Sequence, residues 1–381
     1  MKVLIAIPCL LQGGTERQSL DLSVVLRSIG LDVTLICYFE HEPTIVKEFT
    51  TAGVDVRLLD IHRNSGALTL MKRLRKEILQ IKPEIVHVQY MAPGALPIIA
   101  ARLAGVKMVF TTVHQPYTKS HGRLAKLFLR TASLLTTKFI AVSQNAENSW
   151  FGTSGLFDET KPTKLQPGHF TIHNAIDNDR LNTIVSEVGI TALKNELSVP
   201  IGIPVIGAVS RLRSEKGIDI LLEAFALIIK SGVKAYLLMV GTGPDEKKLK
   251  DTVQKNGLNS AVTFYGEAEW ERAMQLMFLM DIVVVPSRFE GFGLTAAEAM
   301  TMGKPVIATN TSGLKEVVID GETGILFPVD DILALKESIQ MLIKDPHLRE
   351  RLGNAGRERV QANFSLDLYS RKIKALYNIQ S

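Results

Sequence analysis

The sequence has few cysteines and no long apolar segment. Its 381 residues include two cysteines, Cys9 and Cys37, and both lie in apolar runs that resemble strands. Two such residues provide no disulfide framework, so a reducing compartment, the cytoplasm, is the simplest expectation. No run approaches the roughly 20 apolar residues that a membrane-spanning helix requires. We therefore expect a cytoplasmic protein that does not span a membrane.

The amino terminus has only part of the pattern of a secretory signal. The segment MKVLIAIPCLLQGG is apolar, but Pro8 interrupts it and no small-residue cleavage site follows. We interpret it as the first strand. Hydrophobic residues are 46% and charged residues 22% of the chain, which is typical of a globular protein and argues against disorder. The length predicts two or three domains.

Positive charge is concentrated in the first half of the chain. Residues 1–170 contain 20 Lys and Arg against 13 Asp and Glu, a net charge of +7, and residues 171–381 contain 24 against 26, a net charge of −2. This asymmetry indicates an anionic partner for the first half, either a membrane surface or an acidic acceptor. An uneven but ordinary solvated surface is the alternative.

Residues 121–137 are relevant to whether the first half of the chain contacts a membrane. Leu124, Leu127 and Phe128 fall near one helical face, while Lys126 and Arg130 lie elsewhere. Such a helix can lie at a membrane interface, or it can cover a sheet with its charges in water. We expect it to pack on the sheet.

Short apolar runs alternate with helical segments along the chain. Strands are predicted at 3–7, 33–37, 54–59, 85–88, 108–113, 139–142, 205–209, 236–240, 262–265, 282–285, 306–308 and 323–327. This alternation is typical of parallel sheets covered on both faces, and it predicts an α/β protein with two doubly wound halves. Glycines and prolines crowd residues 143–170, which predicts a loop-rich approach to a boundary.

The stretch from 281 to 309 contains the clearest candidate site. A strand at 282–285 is followed by a loop with Gly291 and Gly293, a helix at 294–302 and a second strand. The loop therefore lies at the carboxyl end of a strand, where open α/β sheets bind ligands. A helix N-terminus attracts phosphate, and glycines let the phosphate approach closely.

Two carboxylates flank this loop. Glu290 would repel an anion, so we expect it to face neutral groups such as sugar hydroxyls. Glu298 lies on an otherwise apolar helix, and a buried carboxylate needs partners, which ribose hydroxyls would supply. Either residue alone could be an ordinary surface Glu; their combination with the glycine loop favours a site.

Other turns after strands carry related features. Arg211 and Lys216 follow the strand at 205–209, and two cations beside backbone N–H groups suit a diphosphate. The Gly13–Gly14 turn lacks the third glycine of a dinucleotide fingerprint, so it is either structural or a phosphate loop. The turns at Gly243 and Gly266 are weak signals when taken alone, because each could be a plain turn between a strand and a helix.

The order of these motifs resembles that of the retaining GT-B glycosyltransferases of family 4, or glycosyltransferase group 1. Glu290 and Glu298, with Gly291–Phe292–Gly293 between them, match the two-glutamate loop of that family. Residues 210–217 match its G-R-L-x-x-x-K-G segment, with Ser210 in place of the glycine. The resemblance covers essentially the whole chain.

The resemblance implies two Rossmann-like domains that face an interdomain cleft. Residues 1–172 with a returning helix at 365–381 would form the acceptor-side domain, and residues 173–364 the nucleotide-sugar domain. It also implies a retaining, metal-independent enzyme without a cofactor, which moves a hexosyl unit from a UDP-sugar, or secondly from GDP-mannose. Lipid-linked, polysaccharide and small-molecule acceptors remain open, and no nucleic-acid partner is expected.

Two other functions remain open on the same residues. A glycosidase could use the two carboxylates, but the Arg211–Lys216 phosphate site favours transfer. A catalytically idle relative could bind nucleotide sugars and recruit partners. Contact with an anionic membrane at the cytoplasmic face through the basic first half is a further expectation.

The resemblance also assigns roles to individual residues. Glu290 would contact the donor sugar, Arg211 and Lys216 the leaving phosphates, and His114 the C6 hydroxyl and the acceptor. Gln115 departs from the family here, which leaves the role of His114 open. The expected substrate-binding residues are Gly13, Gly14, Asn174, Gly243, Gly266, Gly291, Phe292, Gly293, Leu294, Thr295 and Glu298. Asp177 or Asp179 is expected to cap a helix rather than bind a metal.

Overall fold

The computed structural model describes residues 1–90, 95–118 and 121–378. The chain divides into two compact units. Unit 1 contains residues 1–175 and the C-terminal segment that starts at Leu366, and unit 2 contains residues 176–365. Each unit has its own parallel sheet, so the prediction of an α/β fold with two doubly wound halves is confirmed.

Unit 1 contains a seven-stranded parallel sheet with the order β3-β2-β1-β4-β5-β6-β7. Its strands are β1 Lys2–Ile7, β2 Asp32–Cys37, β3 Asp55–Leu58, β4 Ile85–Tyr90, β5 Met108–Val113, β6 Lys138–Ala141 and β7 His169–Thr171. Its helices before the boundary are α1 Gly14–Ser28, α2 Pro43–Thr51, α3 Ala67–Ile81, α4 Leu96–Leu103, α5 Gly122–Ser133 and α6 Gln144–Phe151.

Unit 2 contains a six-stranded parallel sheet with the order β10-β9-β8-β11-β12-β13. Its strands are β8 Val205–Val209, β9 Tyr236–Val240, β10 Val262–Gly266, β11 Ile282–Val285, β12 Val306–Thr309 and β13 Ile325–Phe327. Its helices are α7 Asn178–Ser186, α8 Ile190–Glu196, α9 Ile218–Lys230, α10 Glu246–Lys255, α11 Trp270–Leu279, α12 Leu294–Thr301, α13 Leu314–Val317, α14 Ile332–Lys344 and α15 Pro346–Asn363. The last helix, α16 Leu366–Tyr377, belongs to unit 1.

Both faces of the unit 1 sheet are covered, which explains why the five residues Val3 to Ile7 of β1 are all apolar and buried. Along β1, Val3 and Ile5 join a core cluster with residues of α1 and α16. Their neighbours Leu4 and Ala6 join a second cluster with residues of α3 and α4. Alternate side chains of one strand therefore enter two separate cores.

The strand orders create one topological switch point in each sheet. In unit 1 the order reverses between β1 and β4, and in unit 2 it reverses between β8 and β11. The loops that follow these neighbouring strands leave in opposite directions, which opens a crevice at the carboxyl edge of the sheet. In unit 2 those loops contain Arg211, Lys216 and Glu290.

The prediction that 143–170 is loop-rich is only partly right. The segment contains α6 and the short strand β7, which pairs with β6. Ser143 caps α6 by accepting a hydrogen bond from the Ala146 N–H at 3.1 Å, and Trp150 is buried. The many glycines and prolines lie around these elements, so composition hid them.

The helix α5 packs on the sheet, as expected, but with a different face from the predicted one. Ala125 and Leu129 are buried, whereas Leu124, Leu127 and Phe128 are exposed. Leu129 packs against Val113 and Phe139 of the sheet, whereas the three large apolar side chains of the predicted face point outward. Among the described residues, no helix has both the length and the apolar character needed to cross a bilayer.

Candidate functional site

The two loops at the unit 2 switch point are locked together by a glycine. Gly217 ends the 3-10 turn Ser214–Lys216 and has φ +64°, a left-handed conformation that favours glycine. A Cβ atom at this position would lie 2.0 Å from the backbone oxygen of Pro286. The absence of a side chain therefore allows the loop after β8 to rest on the loop after β11.

Arg288 ties the same loops together through hydrogen bonds. Its backbone N–H donates to the Glu215 oxygen at 2.8 Å, and its guanidinium donates to both carboxylate oxygens of Asp219 at 3.1 and 2.9 Å. Burial works to raise the pKa of Asp219, but the hydrogen bonds and charge of Arg288 hold that pKa below its usual value. Sequence reasoning did not identify this pair.

Lys216 and Glu290 are in direct contact. The Lys216 Nζ lies 2.6 Å from the Glu290 Oε1, and the Ser287 hydroxyl donates to the same oxygen at 2.7 Å. The Lys216 and Glu290 side chains are 21% and 17% exposed, so the pair is neither fully solvated nor fully buried. The predicted phosphate-binding cation and the predicted sugar-binding carboxylate therefore occupy one point.

Arg211 lies on the same loop but does not join this pair. It is exposed, and within the part of the chain that the structure describes, no hydrogen bond or ion pair engages its guanidinium. The loop itself is fixed, because the Leu212 N–H donates to the Thr242 oxygen at 2.7 Å. A Cβ at Gly243 would lie 2.3 Å from the Leu212 oxygen, so this glycine permits the close approach.

The turns after β9 and β10 are also joined. The Gly241 N–H donates to the Gly266 oxygen at 2.7 Å. Gly266 has φ +89°, with open space where a Cβ would stand. Gly243 and Gly266 thus lie on turns at the same edge of the sheet as Arg211.

The glycine loop before α12 is shaped by contacts with the start of α13. Gly293 has φ +107°, and a Cβ there would lie 2.7 Å from the Leu314 side chain. Leu294 and Thr295 form the first turn of α12, whose leading N–H groups have no helical acceptor. These N–H groups and Gly291 lie a few residues from Glu290.

Phe292 contributes to this loop through its backbone. Its side chain is buried and meets the Phe364 ring edge to face, with 5.2 Å between ring centroids. The ring anchors the loop in the unit 2 core. Only the main chain of Phe292 remains for the ligand role that the sequence predicted.

Glu298 is buried on α12 and is engaged by an aromatic residue that the sequence analysis missed. The indole Nε1–H of Trp270 donates to Glu298 Oε1 at 2.8 Å. Arg180 lies over the Trp270 ring, with its guanidinium carbon 4.7 Å from the centroid. Trp270 is 28 residues from Glu298 in sequence, so no local pattern links them.

In unit 1, Gly13 and Gly14 begin α1, and a carboxylate lies beside them. A Cβ at Gly13 would stand 2.5 Å from the carboxylate of the buried Glu16. That carboxylate also accepts a hydrogen bond from the Cys9 thiol at 3.5 Å. Burial and Glu16 raise the pKa of Cys9 to about 12, so the thiol stays protonated.

His114 is buried beyond β5 and is neutral. Its Nε2 lies 2.7 Å from Gln89 Oε1, and because a carbonyl oxygen only accepts, Nε2 carries the proton in this arrangement. Burial lowers the pKa of His114 to about 3. Asn174 lines the same small cavity as His114 and Gln89, whereas Gly13 and Gly14 do not.

A second histidine extends this polar group. His87 is buried between the Tyr377 hydroxyl and the Thr112 hydroxyl, each 2.7 Å from one ring nitrogen. Burial, together with the charge of a protonated His114, lowers the pKa of His87 to about 3. The cavity therefore offers neutral hydrogen-bonding groups and no fixed charge from these rings.

Asp177 caps α7, as expected, by accepting a hydrogen bond from the Arg180 N–H at 3.0 Å. In the described ranges, no three His, Cys, Asp or Glu side chains are grouped as ligands for a metal ion.

Comparison with known proteins identifies the family of the chain. The model for glycosyl transferases group 1 matches residues 190–359, and the model for glycosyltransferase family 4 matches residues 12–163. The capsular polysaccharide biosynthesis glycosyltransferase CapM of Staphylococcus aureus is 28% identical over 374 residues, which cover 93% of this chain and 91% of CapM.

Two further similarities concern part of the sequence and the fold. The lipopolysaccharide core biosynthesis mannosyltransferase LpsB of Rhizobium meliloti is 34% identical over 184 residues, covering 45% of this chain and 50% of LpsB. The solved structure of Anabaena HepE in complex with UDP-glucose has a TM-score of 0.80 and 20% identity, covering 98% of each chain.

The fold and the matched segments define a glycosyltransferase built from two Rossmann-like domains, the GT-B class. Within that class, the chain belongs to glycosyltransferase group 1, family 4, as the sequence motifs predicted.

Proposed function

We propose that this glycosyltransferase moves a hexosyl unit from a nucleotide-diphospho sugar and retains the anomeric configuration, without a metal ion. The observation that carries the proposal is the contact between Lys216 and Glu290. It puts a cation suited to phosphate and a carboxylate suited to sugar hydroxyls at one point, beside the N-terminus of α12. UDP-sugars are the first expected donors and GDP-mannose is the second.

The leaving diphosphate is stabilised by groups that are already in place. Lys216, Arg211 and the first N–H groups of α12 supply positive charge where negative charge builds in the transition state. Preorganised groups of this kind are worth several kcal/mol in other enzymes. They take the role that a metal ion has in metal-dependent transferases, and the diphosphate itself accepts the proton of the acceptor hydroxyl.

Donor binding exchanges the partners of Lys216 and Glu290. Without donor, each side chain neutralises the other at 2.6 Å. With donor bound, the phosphate takes the ammonium, and the sugar hydroxyls donate to the carboxylate. Glu290 then faces the sugar ring as positive charge develops on it.

The acceptor is assigned to unit 1. His114 and Asn174 line a small cavity there whose walls are partly apolar, and their neutral polar groups suit the hydroxyl of an acceptor. CapM acts in capsular polysaccharide biosynthesis and LpsB in lipopolysaccharide core biosynthesis. A polysaccharide or lipid-linked glycan is therefore the first acceptor class to test, before small molecules.

Contact with an anionic membrane from the cytoplasmic side is also proposed, through α5. Leu124 is 68% and Phe128 59% exposed on this helix. Residues 101–150 contain seven Lys and Arg but only one carboxylate, Glu147, and that residue is buried. An exposed apolar face within a basic region suits the interface of an anionic bilayer.

Nucleotide release and product stereochemistry test the proposal together. A thermal-shift panel of UDP- and GDP-sugars first selects the donor. Release of the nucleotide that rises on adding acceptor, with an α-linked product from an α-linked donor by NMR, is the expected result. Donor binding without turnover across acceptor classes would instead indicate a catalytically idle nucleotide-sugar-binding protein, and an inverted product would contradict retention.

A further inference from the structure

Glu298 occupies a position where a carboxylate is costly. It is 9% exposed, and its neighbours Ala297, Ala299 and Met300 on α12 are completely buried. A buried carboxylate is tolerated only with hydrogen-bond donors in place. An apolar residue would fill the same space without that requirement, so the carboxylate needs an explanation beyond packing.

Trp270 supplies one such donor from a different helix. Its indole Nε1–H reaches Glu298 Oε1 at 2.8 Å, the usual length for a hydrogen bond of this type. An indole nitrogen donates only, so it engages the carboxylate and cannot exchange roles with it. The bond therefore fixes where one oxygen of Glu298 lies.

The indole ring is itself held in place. The Arg180 guanidinium carbon lies 4.7 Å from the ring centroid, within the range of a cation–π contact. The same guanidinium donates to Glu271 Oε1 at 3.0 Å, one residue after Trp270 on α11. Arg180, on α7, thus restrains the ring that restrains Glu298.

We propose that Trp270 is a positioning residue for nucleotide recognition: it orients the Glu298 carboxylate toward the vicinal hydroxyls of the donor ribose. This inference rests on the proposed function, in which Glu298 binds the ribose. A carboxylate accepts hydrogen bonds from both hydroxyls of a diol only when its oxygens lie within hydrogen-bond distance of both. Removing the indole N–H is therefore expected to weaken recognition of the hydroxyls and to spare recognition of base and diphosphate.

A ligand pair isolates that effect. Calorimetry measures the Kd of UDP and of 2′,3′-dideoxy-UDP for the whole protein; GDP and its dideoxy analogue replace them if the guanine nucleotide gives the larger thermal shift. The ratio of the two Kd values reports only the ribose hydroxyls. In the unaltered protein we expect UDP to bind at least about tenfold more tightly than the dideoxy analogue, since a buried carboxylate left without its donors is costly.

Three variants separate the possible outcomes. Trp270→Phe keeps an aromatic ring under Arg180 but removes the N–H, and Glu298→Gln removes the charge of the acceptor. We expect both to reduce the ratio to about threefold or less, while the Kd of the dideoxy analogue changes less than about twofold. Trp150→Phe is the matched control, because its indole also donates at 2.8 Å, to Gln115 O in unit 1; it should leave the ratio unchanged.

Failure of this inference differs from failure of the proposed function. If Glu298→Gln keeps the full ratio, or if neither nucleotide binds, the ribose assignment is wrong, and the inference fails with it. If Glu298→Gln loses the ratio but Trp270→Phe keeps it, only the role of Trp270 is overturned. Equal weakening of both ligands by Trp270→Phe would also overturn that role, because such a result indicates a structural function alone.

Discussion

Both units contain a doubly wound parallel sheet, but they differ in the polar side chains that the sheet holds. Those of unit 2 are charged, whereas the histidines of unit 1 are neutral. At the switch point of unit 2, Lys216 and Glu290 remain partly exposed and oppositely charged. In unit 1, His87 and His114 are buried, and burial keeps both rings neutral. The doubly wound fold therefore does not by itself determine the chemistry of a site. How deeply an ionisable side chain is buried decides whether it remains charged.

The largest effect is expected from removing Lys216, the partly exposed cation of unit 2. Lys216→Ala should lower kcat by about 10²- to 10³-fold, the usual cost of losing one preorganised group that stabilises a transition state. Steady-state nucleotide release measures this change. Lys250→Ala is the control, since Lys250 pairs with Glu246 on the surface of α10 and should leave the rate unchanged. A near-normal rate for Lys216→Ala would refute the phosphate assignment.

The junction of the unit 2 loops should be sensitive to a single methyl group. Gly217→Ala places a Cβ 2.0 Å from the Pro286 oxygen, in a left-handed conformation. Overpacking and backbone strain together should lower the free energy of unfolding by about 3 kcal/mol. Urea denaturation measures it. Gly232→Ala has a similar φ but open space around it, so it should cost only about 1 kcal/mol. If both variants lost the same free energy of unfolding, the contact between the two loops would not contribute to stability.

The neutral histidines of unit 1 predict a pH dependence of stability. An unfolded histidine takes up a proton near pH 6.5, but His87 and His114 do so in the folded protein only near pH 3. Stability should therefore fall as the pH is lowered from 6.5 toward 3, by up to about 1.4 kcal/mol per pH unit for each ring. Urea unfolding at pH 5 and 6 should give His87→Gln a shallower slope than the unaltered protein; identical slopes would contradict the burial argument.

The smallest effect concerns the ion pair itself. Glu290→Gln removes the charged partner of Lys216. The nucleoside diphosphate should therefore bind about two- to fivefold more tightly, because a partly exposed ion pair is only modestly strong. Turnover should fall by a larger factor, because the carboxylate no longer faces the sugar. Calorimetry and rate measurements separate the two effects. Weaker diphosphate binding in this variant would show that the pair does not compete with the ligand.

Local patterns in the sequence were enough to predict much of the secondary structure of unit 2. The run from 281 to 309 predicted a strand, a glycine loop and a helix, because β-branched residues, paired glycines and alanine-rich segments each act locally. The bounds of β11 agree with the predicted ones, and α12 begins at the predicted residue, Leu294. Composition was a poor guide at α6 and β7, where one cap and one buried tryptophan outweigh the surrounding glycines and prolines.

Contacts between distant residues could not be predicted in the same way. Lys216 and Glu290 are 74 residues apart and meet because β8 lies beside β11. Separate motifs suggested each residue, but strand order alone brings them together. Trp270, Arg288 and Gln89 gave no motif signal, since each acts by donating to or accepting from a residue on another element.

In the proposed reaction, the departing diphosphate binds in unit 2 between Lys216 and the N-terminus of α12. A crystal structure with the nucleoside diphosphate of the selected donor tests it most directly. We predict phosphate oxygens within about 3 Å of Lys216 Nζ and of N–H groups between Gly293 and Thr295, with the bond from Lys216 to Glu290 broken. A diphosphate bound elsewhere, with that bond intact at 2.6 Å, would contradict it.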